Sequence, residues 1–256
     1  MARGLNIATS GAFAPPGGSA RHVHSSLAWI QYAYDWDYES AAHSFRRSLE
    51  LSTGNEVVRG RYSMFLNEQG YFDEGIDEAR RALDQSPISA DAHLYLVHAL
   101  YVARRYRESI SVANQALEFQ PGYFPARWYI ALAQGADGRL DAAVDAARGA
   151  MPAWHPFSEG VLGWALGRAG HVEEARQMLV ALKEKRAKAH FSAPAIAYAH
   201  LGLGELDEAL DWFDVAYEER DPHCLAAKVF PSFDPLRAHP RFDTFLSRMQ
   251  FPAAKV

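Results

Sequence analysis

Eleven histidines and a single cysteine are the residues of this chain best equipped for chemistry, and their spacing decides what they can do. Adjacent His223 and Cys224 offer a metal ion two ligands at most, whereas a structural zinc site closes four. His93 and His98 lie five apart, so a helix turns them roughly 140° away from a shared face. His22 and His24 sit beside a leader rich in glycine and proline, where solvent accounts for them. Paired carboxylates recur as Asp73-Glu74, Glu173-Glu174 and Asp207-Glu208. Each pair opens a helix, where it favours the positive terminus and faces water. No G-x-S-x-G, P-loop or G-x-G-x-x-G stands in a suitable context, and no nucleophile has a base at an interpretable spacing. These residues predict no catalytic centre, no metal site and no cofactor. One titratable pair stands apart, His98 beside Tyr101, suited to orienting a ligand.

The elements that must position them follow a period of 34 residues. Tyr38, Phe72, Tyr106 and Leu140 keep that step, as do Ala41, Gly75, Ser109 and Ala143, and Ser48, Ala82, Ala116 and Ala150. After a two-residue contraction the register resumes in Gly170 and Gly204, Val172 and Leu206, and Ala175 and Ala209. Such a period predicts a solenoid, in which each unit buries its apolar face against its neighbours. Each unit reads as two antiparallel helices. In the third, the spacing predicts helix A over 90–103, a turn at 104–106 and helix B over 107–119, with Pro121 stopping it. Gly70, Gly138, Gly170 and Gly204 mark the A-to-B turns, and small residues at the Ala41 and Ala82 positions let the helices approach closely.

These residues resemble the tetratricopeptide repeat, most completely in Gly70, Phe72, Gly75, Ala82 and Pro87 of the second unit. The resemblance implies an all-α, right-handed superhelical solenoid of about six helix pairs, over 22–55, 56–89, 90–123, 124–155, 156–189 and 190–223. The first unit departs from the pattern, with Trp36 where the turn glycine belongs. Tyr34-Asp35-Trp36-Asp37 and the run Phe233-Asp234-Pro235-Leu236-Arg237 through Pro240-Arg241-Phe242 look like a bacterial subgroup of these arrays. There the repeats often follow a winged-helix DNA-binding domain, a nucleotide cyclase or a protein kinase domain; none is among these residues.

Both ends read differently from the array. Residues 1–21 predict a flexible leader, because Asn6, Thr9, Ser10 and Gly11 interrupt what would otherwise be a weak secretory signal. Residues 224–256 predict a capping segment. Phe242, Phe245, Leu246 and Met249 form one apolar face at helical spacing after Pro240, which suits a first turn.

In a tetratricopeptide array the groove is lined by helix A at unit positions 2, 5, 9 and 12. In the last four units this implies a surface containing Leu94, His98, Tyr101, Trp128, Leu132, Gly135, Gly160, Trp164 and Tyr198. Glycines beside large rings leave two readings open. Either a notch between Trp128 and Trp164 admits a ligand, in which case Gly160→Leu fills it harmlessly, or the rings pack on neighbouring helices and the glycines permit tight crossings. The carboxylate clamp known in some members is ruled out, because its cationic positions here hold Leu94, Trp128, Gly160 and Pro194.

The resemblance and the aromatic lining imply a binding or adaptor scaffold holding a peptide or helix of a partner protein. The alternative is a small-molecule sensor or enzyme using the same groove for an apolar ligand. A net charge of −5 gives no footprint for nucleic acid. No run approaches the roughly 18 apolar residues of a membrane span. One cysteine suits a reducing cytoplasm.

Overall fold

The computed structural model describes residues 20–51, 54–151, 155–189 and 191–252. The expected leader lies outside these, except that its last two residues already belong to the first helix. Helix α1 (Ala20–Ile30), prolonged by a π turn over Gln31–Asp35, packs on α2 (Tyr38–Leu51). Five further pairs follow: α3 (Glu56–Gln69) with α4 (Phe72–Gln85), α5 (Ala90–Val102) with α6 (Tyr106–Phe119), and α7 (Phe124–Ala136) with α8 (Leu140–Gly149). The last two are α9 (Pro156–Arg168) with α10 (Val172–Lys188) and α11 (Ala193–Leu203) with α12 (Leu206–Glu218). From α3 onward the odd-numbered helices also pack on one another, forming the inner layer of an all-α solenoid. Among the described residues there is no strand, and no helix is long and apolar enough to cross a membrane.

The repeat positions hold small residues because the packed helices leave no room there: a Cβ on Gly75 would stand 2.4 Å from the Asn67 side chain. Ala41, Ser48, Ala82, Ser109, Ala116, Ala175 and Ala209 are completely buried. The acidic pairs, by contrast, lie exposed in the first turns of α4, α10 and α12. Each A-to-B turn passes through a left-handed residue, which is glycine at 70, 138, 170 and 204 but Trp36 and Arg104 in the first and third units. At Gly70 the turn closes with a bond from Tyr71 N–H to the Leu66 carbonyl (2.9 Å), satisfying a carbonyl that the helix leaves orphaned. A side chain in this conformation costs about 1–2 kcal/mol. Trp36 and Arg104 must therefore make contacts that glycine cannot.

Those contacts are with the end of the chain. After α12, two 3₁₀ turns (Pro222–Lys228 and Pro231–Leu236) run back into the concave face before α13 (Pro240–Arg248). They pack on α3, α7, α11, α12 and the π turn. Arg104 grips Asp234 in a bidentate pair at 2.6 and 2.8 Å. Trp36 meets the Tyr217 ring at 4.8 Å and carries the Arg220 guanidinium 4.0 Å above its own. Lys228 Nζ donates to the Gln69 carbonyl at 3.3 Å, and Tyr38 Oη to the Met249 carbonyl at 2.9 Å. Phe233, Leu236 and Phe242 are buried among Tyr198, Phe213 and Phe245. Helix α13 packs on α12, while the stretch ahead of it lines the inside of the array, which the sequence pattern did not suggest.

The inner glycines serve crossings. A Cβ on Gly160 would stand 2.6 Å from Ala195 Cα, one on Gly167 would stand 2.4 Å from the Gly202 carbonyl carbon, and one on Gly202 would stand 2.5 Å from Trp164 Cα. Helices α9 and α11 thus touch backbone to backbone, and the expectation that leucine fits harmlessly at Gly160 is corrected. Even Gly160→Ala should lower stability, because overpacking of about 1–3 kcal/mol outweighs about 1 kcal/mol of helix propensity. The control is Gly149→Ala, whose new methyl meets only the flexible Arg127 guanidinium. Thermal melts should show a lower Tm for the first and an equal or higher Tm for the second.

Candidate functional site

The part of the inner face that the returning segment leaves open is a cleft of about 790 Å³. Trp29 of α1, Met64 and Glu68 of α3, Leu94 and His98 of α5, and Trp128, Tyr129 and Leu132 of α7 form its walls and floor. Phe157, Tyr198, His223, Leu225 and Phe230 close the far end. Ile88, Gln120 and Gly122, all exposed, mark its mouth. Ring packing holds the walls: Trp128 meets Phe124 at 5.1 Å, His155 at 4.9 Å and Phe157 at 5.4 Å. Its indole N–H donates to Ser158 Oγ at 2.6 Å, which fixes the ring's tilt.

Two buried polar side chains share the floor. His98 Nε2 stands 3.5 Å from Glu68 Oε1, and neither His98 ring nitrogen has a hydrogen-bond partner. Asp91 accepts a hydrogen bond from the Tyr123 hydroxyl at the rim. No lysine or arginine is among the lining residues. Burial, reinforced by the nearby His223, pushes His155 down to about 4, so it is neutral at pH 7. His223 is moved the other way: burial opposes its charge, but Asp221, 2.7 Å from its Nδ1, outweighs that and raises it.

Of the residues expected to line the groove, Leu94, His98, Trp128, Leu132 and Tyr198 meet in this cleft. Tyr101 does not reach it: it is fully buried, with the Phe230 ring edge-on at 5.3 Å. Nor do Gly135, Gly160 and Trp164. The Trp164 ring lies where a Cβ on Gly135 would be, 2.4 Å from that position, so the expected notch between Trp128 and Trp164 is filled by Trp164 itself. The Trp128 and Trp164 rings are separated in role, one a wall and the other core. Glu68, Trp29, His155 and the 222–230 segment were not expected. Met64 would have followed from applying the position rule to the second unit, whereas Glu68 falls outside that rule. For the returning segment the available signal is Phe230, Phe233 and Leu236, three apart among prolines, the spacing of a 3₁₀ turn.

Because unfolded His155 takes up a proton near pH 6.5 and the folded one only near 4, folding stability falls as pH drops through that window. The loss assignable to this residue is about 2 kcal/mol after allowance for its partial exposure. His155→Asn retains an acceptor for the Phe157 N–H that His155 Nδ1 now serves at 3.3 Å. Urea titrations at pH 7 and 4.5 should show the variant losing less stability than the parent. An equal loss in both would refute the assignment.

No protein-family model matches the chain, and no curated protein matches it by sequence. Solved structures do resemble it. The type IV pilus biogenesis factor PilW aligns at a TM-score of 0.59 and 18% identity, over 79% of this chain and 94% of that one. TTC0263, a thermophilic tetratricopeptide repeat protein of Thermus thermophilus, aligns at 0.54 and 17%, over 89% of this chain and 100% of that one. PilF of Pseudomonas aeruginosa aligns at 0.54 and 15%, over 78% and 91%. With its 34-residue period, its helix pairing and this likeness, the chain has the fold of the tetratricopeptide repeat proteins.

Proposed function

We propose that this chain is a protein-interaction module, an adaptor whose open inner cleft holds a short apolar segment of a partner protein. The observation that carries the reading is the cleft itself. Its walls are aromatic and aliphatic, it is held open by ring packing, and the large apolar side chain of Ile88 stands 75% exposed at its mouth. Exposed apolar side chains beside a ring-lined concavity are the usual anchor geometry of peptide sites. The returning 222–236 segment occupies the remainder of the inner face, so the segment held is a few residues long rather than a helix spanning the array. A second reading, an apolar small molecule in the same place, is favoured by one observation: about 790 Å³ falls within the usual range of small-ligand sites.

Selection of a displayed random-peptide library on the folded chain tests the first reading, and a thermal-shift screen of apolar metabolites tests the second. Enriched peptides should lose at least about 2 kcal/mol of affinity on Trp128→Ala, as anchor aromatics do, and should fail to bind Leu94→Lys. Both side chains are half-buried, so the helical circular dichroism should persist. Full affinity in both variants would place the partner elsewhere.

A further inference from the structure

Resting on that reading of the cleft as a peptide site, we infer that it selects a segment carrying a lysine or arginine, whose charged head lies over the Glu68–His98 floor. Three observations converge. The first is charge. The lining contains the carboxylates of Glu68 and Asp91 and no lysine or arginine, and His155 is neutral at pH 7. An acidic or phosphorylated segment would meet these carboxylates, the nearby cationic groups being His223, which Asp221 already pairs, and Arg61, which lies over Trp29 at the edge, whereas a basic one meets complementary charge.

The second is the unfilled hydrogen-bonding capacity of the floor. His98 is 1% exposed, and both its ring nitrogens lack a hydrogen-bond partner, although Glu68 stands 3.5 Å away. A buried ring nitrogen left unmatched is costly, and native structures rarely keep one without a purpose. Neutral histidine has one acceptor nitrogen and a carboxylate only acceptors. A guanidinium or ammonium group supplies donors alone, several of them, and so can serve both at once. An acidic side chain supplies none.

The third is the walls. Ring faces of tryptophan and tyrosine attract cations, most of all where water is excluded. The chain already uses this chemistry at the edge of the cleft, where the Arg61 guanidinium sits 5.6 Å from the centre of the Trp29 ring. Met64 and Leu94 line the route inward and suit the aliphatic stem of a long basic side chain, which packs on apolar surface while its head seeks polar partners.

The test uses the full chain and peptides from a random 12-residue displayed library, with binding read by tryptophan fluorescence. Enriched peptides are expected to carry lysine or arginine between apolar residues. Replacing that residue with glutamine should weaken binding at least about tenfold. In Glu68→Gln the lysine-over-glutamine preference should shrink to about threefold or less. If Glu68→Gln does not fold, Asp91→Asn, at the half-buried rim, should reduce the same preference and its salt dependence. Enriched peptides that lack basic residues, or a preference untouched by both variants, overturn the inference while leaving the peptide site standing. If no peptide is enriched, both fall together.

Discussion

The contact on which the rest of this structure depends is the return of the chain end into the concave face of its own solenoid. A repeat array gains stability from neighbours alone, so its inner surface is ordinarily free and its two ends communicate only through every unit between them. Here Phe230, Phe233 and Leu236 enter that surface, the Arg104 side chain of the third unit and the Gln69 carbonyl of the second hold the segment there, and Tyr38 of the first unit bonds the Met249 carbonyl beyond it. Hydrophobic burial supplies the drive, since Phe233, Leu236 and Phe242 surrender almost all their surface. The polar links at Arg104 and Lys228 set the register, being partly exposed and individually modest in energy.

The two turns that abandon glycine belong to the same device. At four of the six turns nothing but backbone is required, and glycine meets that need without strain. At Trp36 and Arg104 a side chain is needed at the very residue that bends backwards, and the strain is accepted so that an indole can meet Tyr217 and Arg220 at the end of α12 and a guanidinium can hold Asp234 of the returning segment. A departure from a repeat pattern thus marks where the repeat does something its neighbours do not.

The architecture was legible in the sequence because it is written locally. Period, turn residues, small-residue positions and the apolar face of α13 each follow from residues a few positions apart. The cleft was partly legible, since Leu94, His98, Trp128, Leu132 and Tyr198 sit at repeating inner positions. What escaped was long-range. Whether Gly160 opens a pocket or admits the α11 backbone depends on a helix 35 residues away, and the two outcomes share one local pattern. Likewise Tyr101 reads as an inner-face residue, and only the Phe230 ring lying on it removes it from the groove.

The bond between Tyr38 and the Met249 carbonyl spans 211 residues, and that separation has a meaning for biosynthesis. As the chain leaves the ribosome, α1 and α2 emerge with nothing to cover Trp36 and Tyr38. The middle units can stack as they appear, each on the one before it. Only when α13 is released can the first unit acquire its last partners. Closure of the first unit therefore waits for α13, and a chain lacking residues 222–252 would retain a stack of helices with both its inner face and its first unit uncovered.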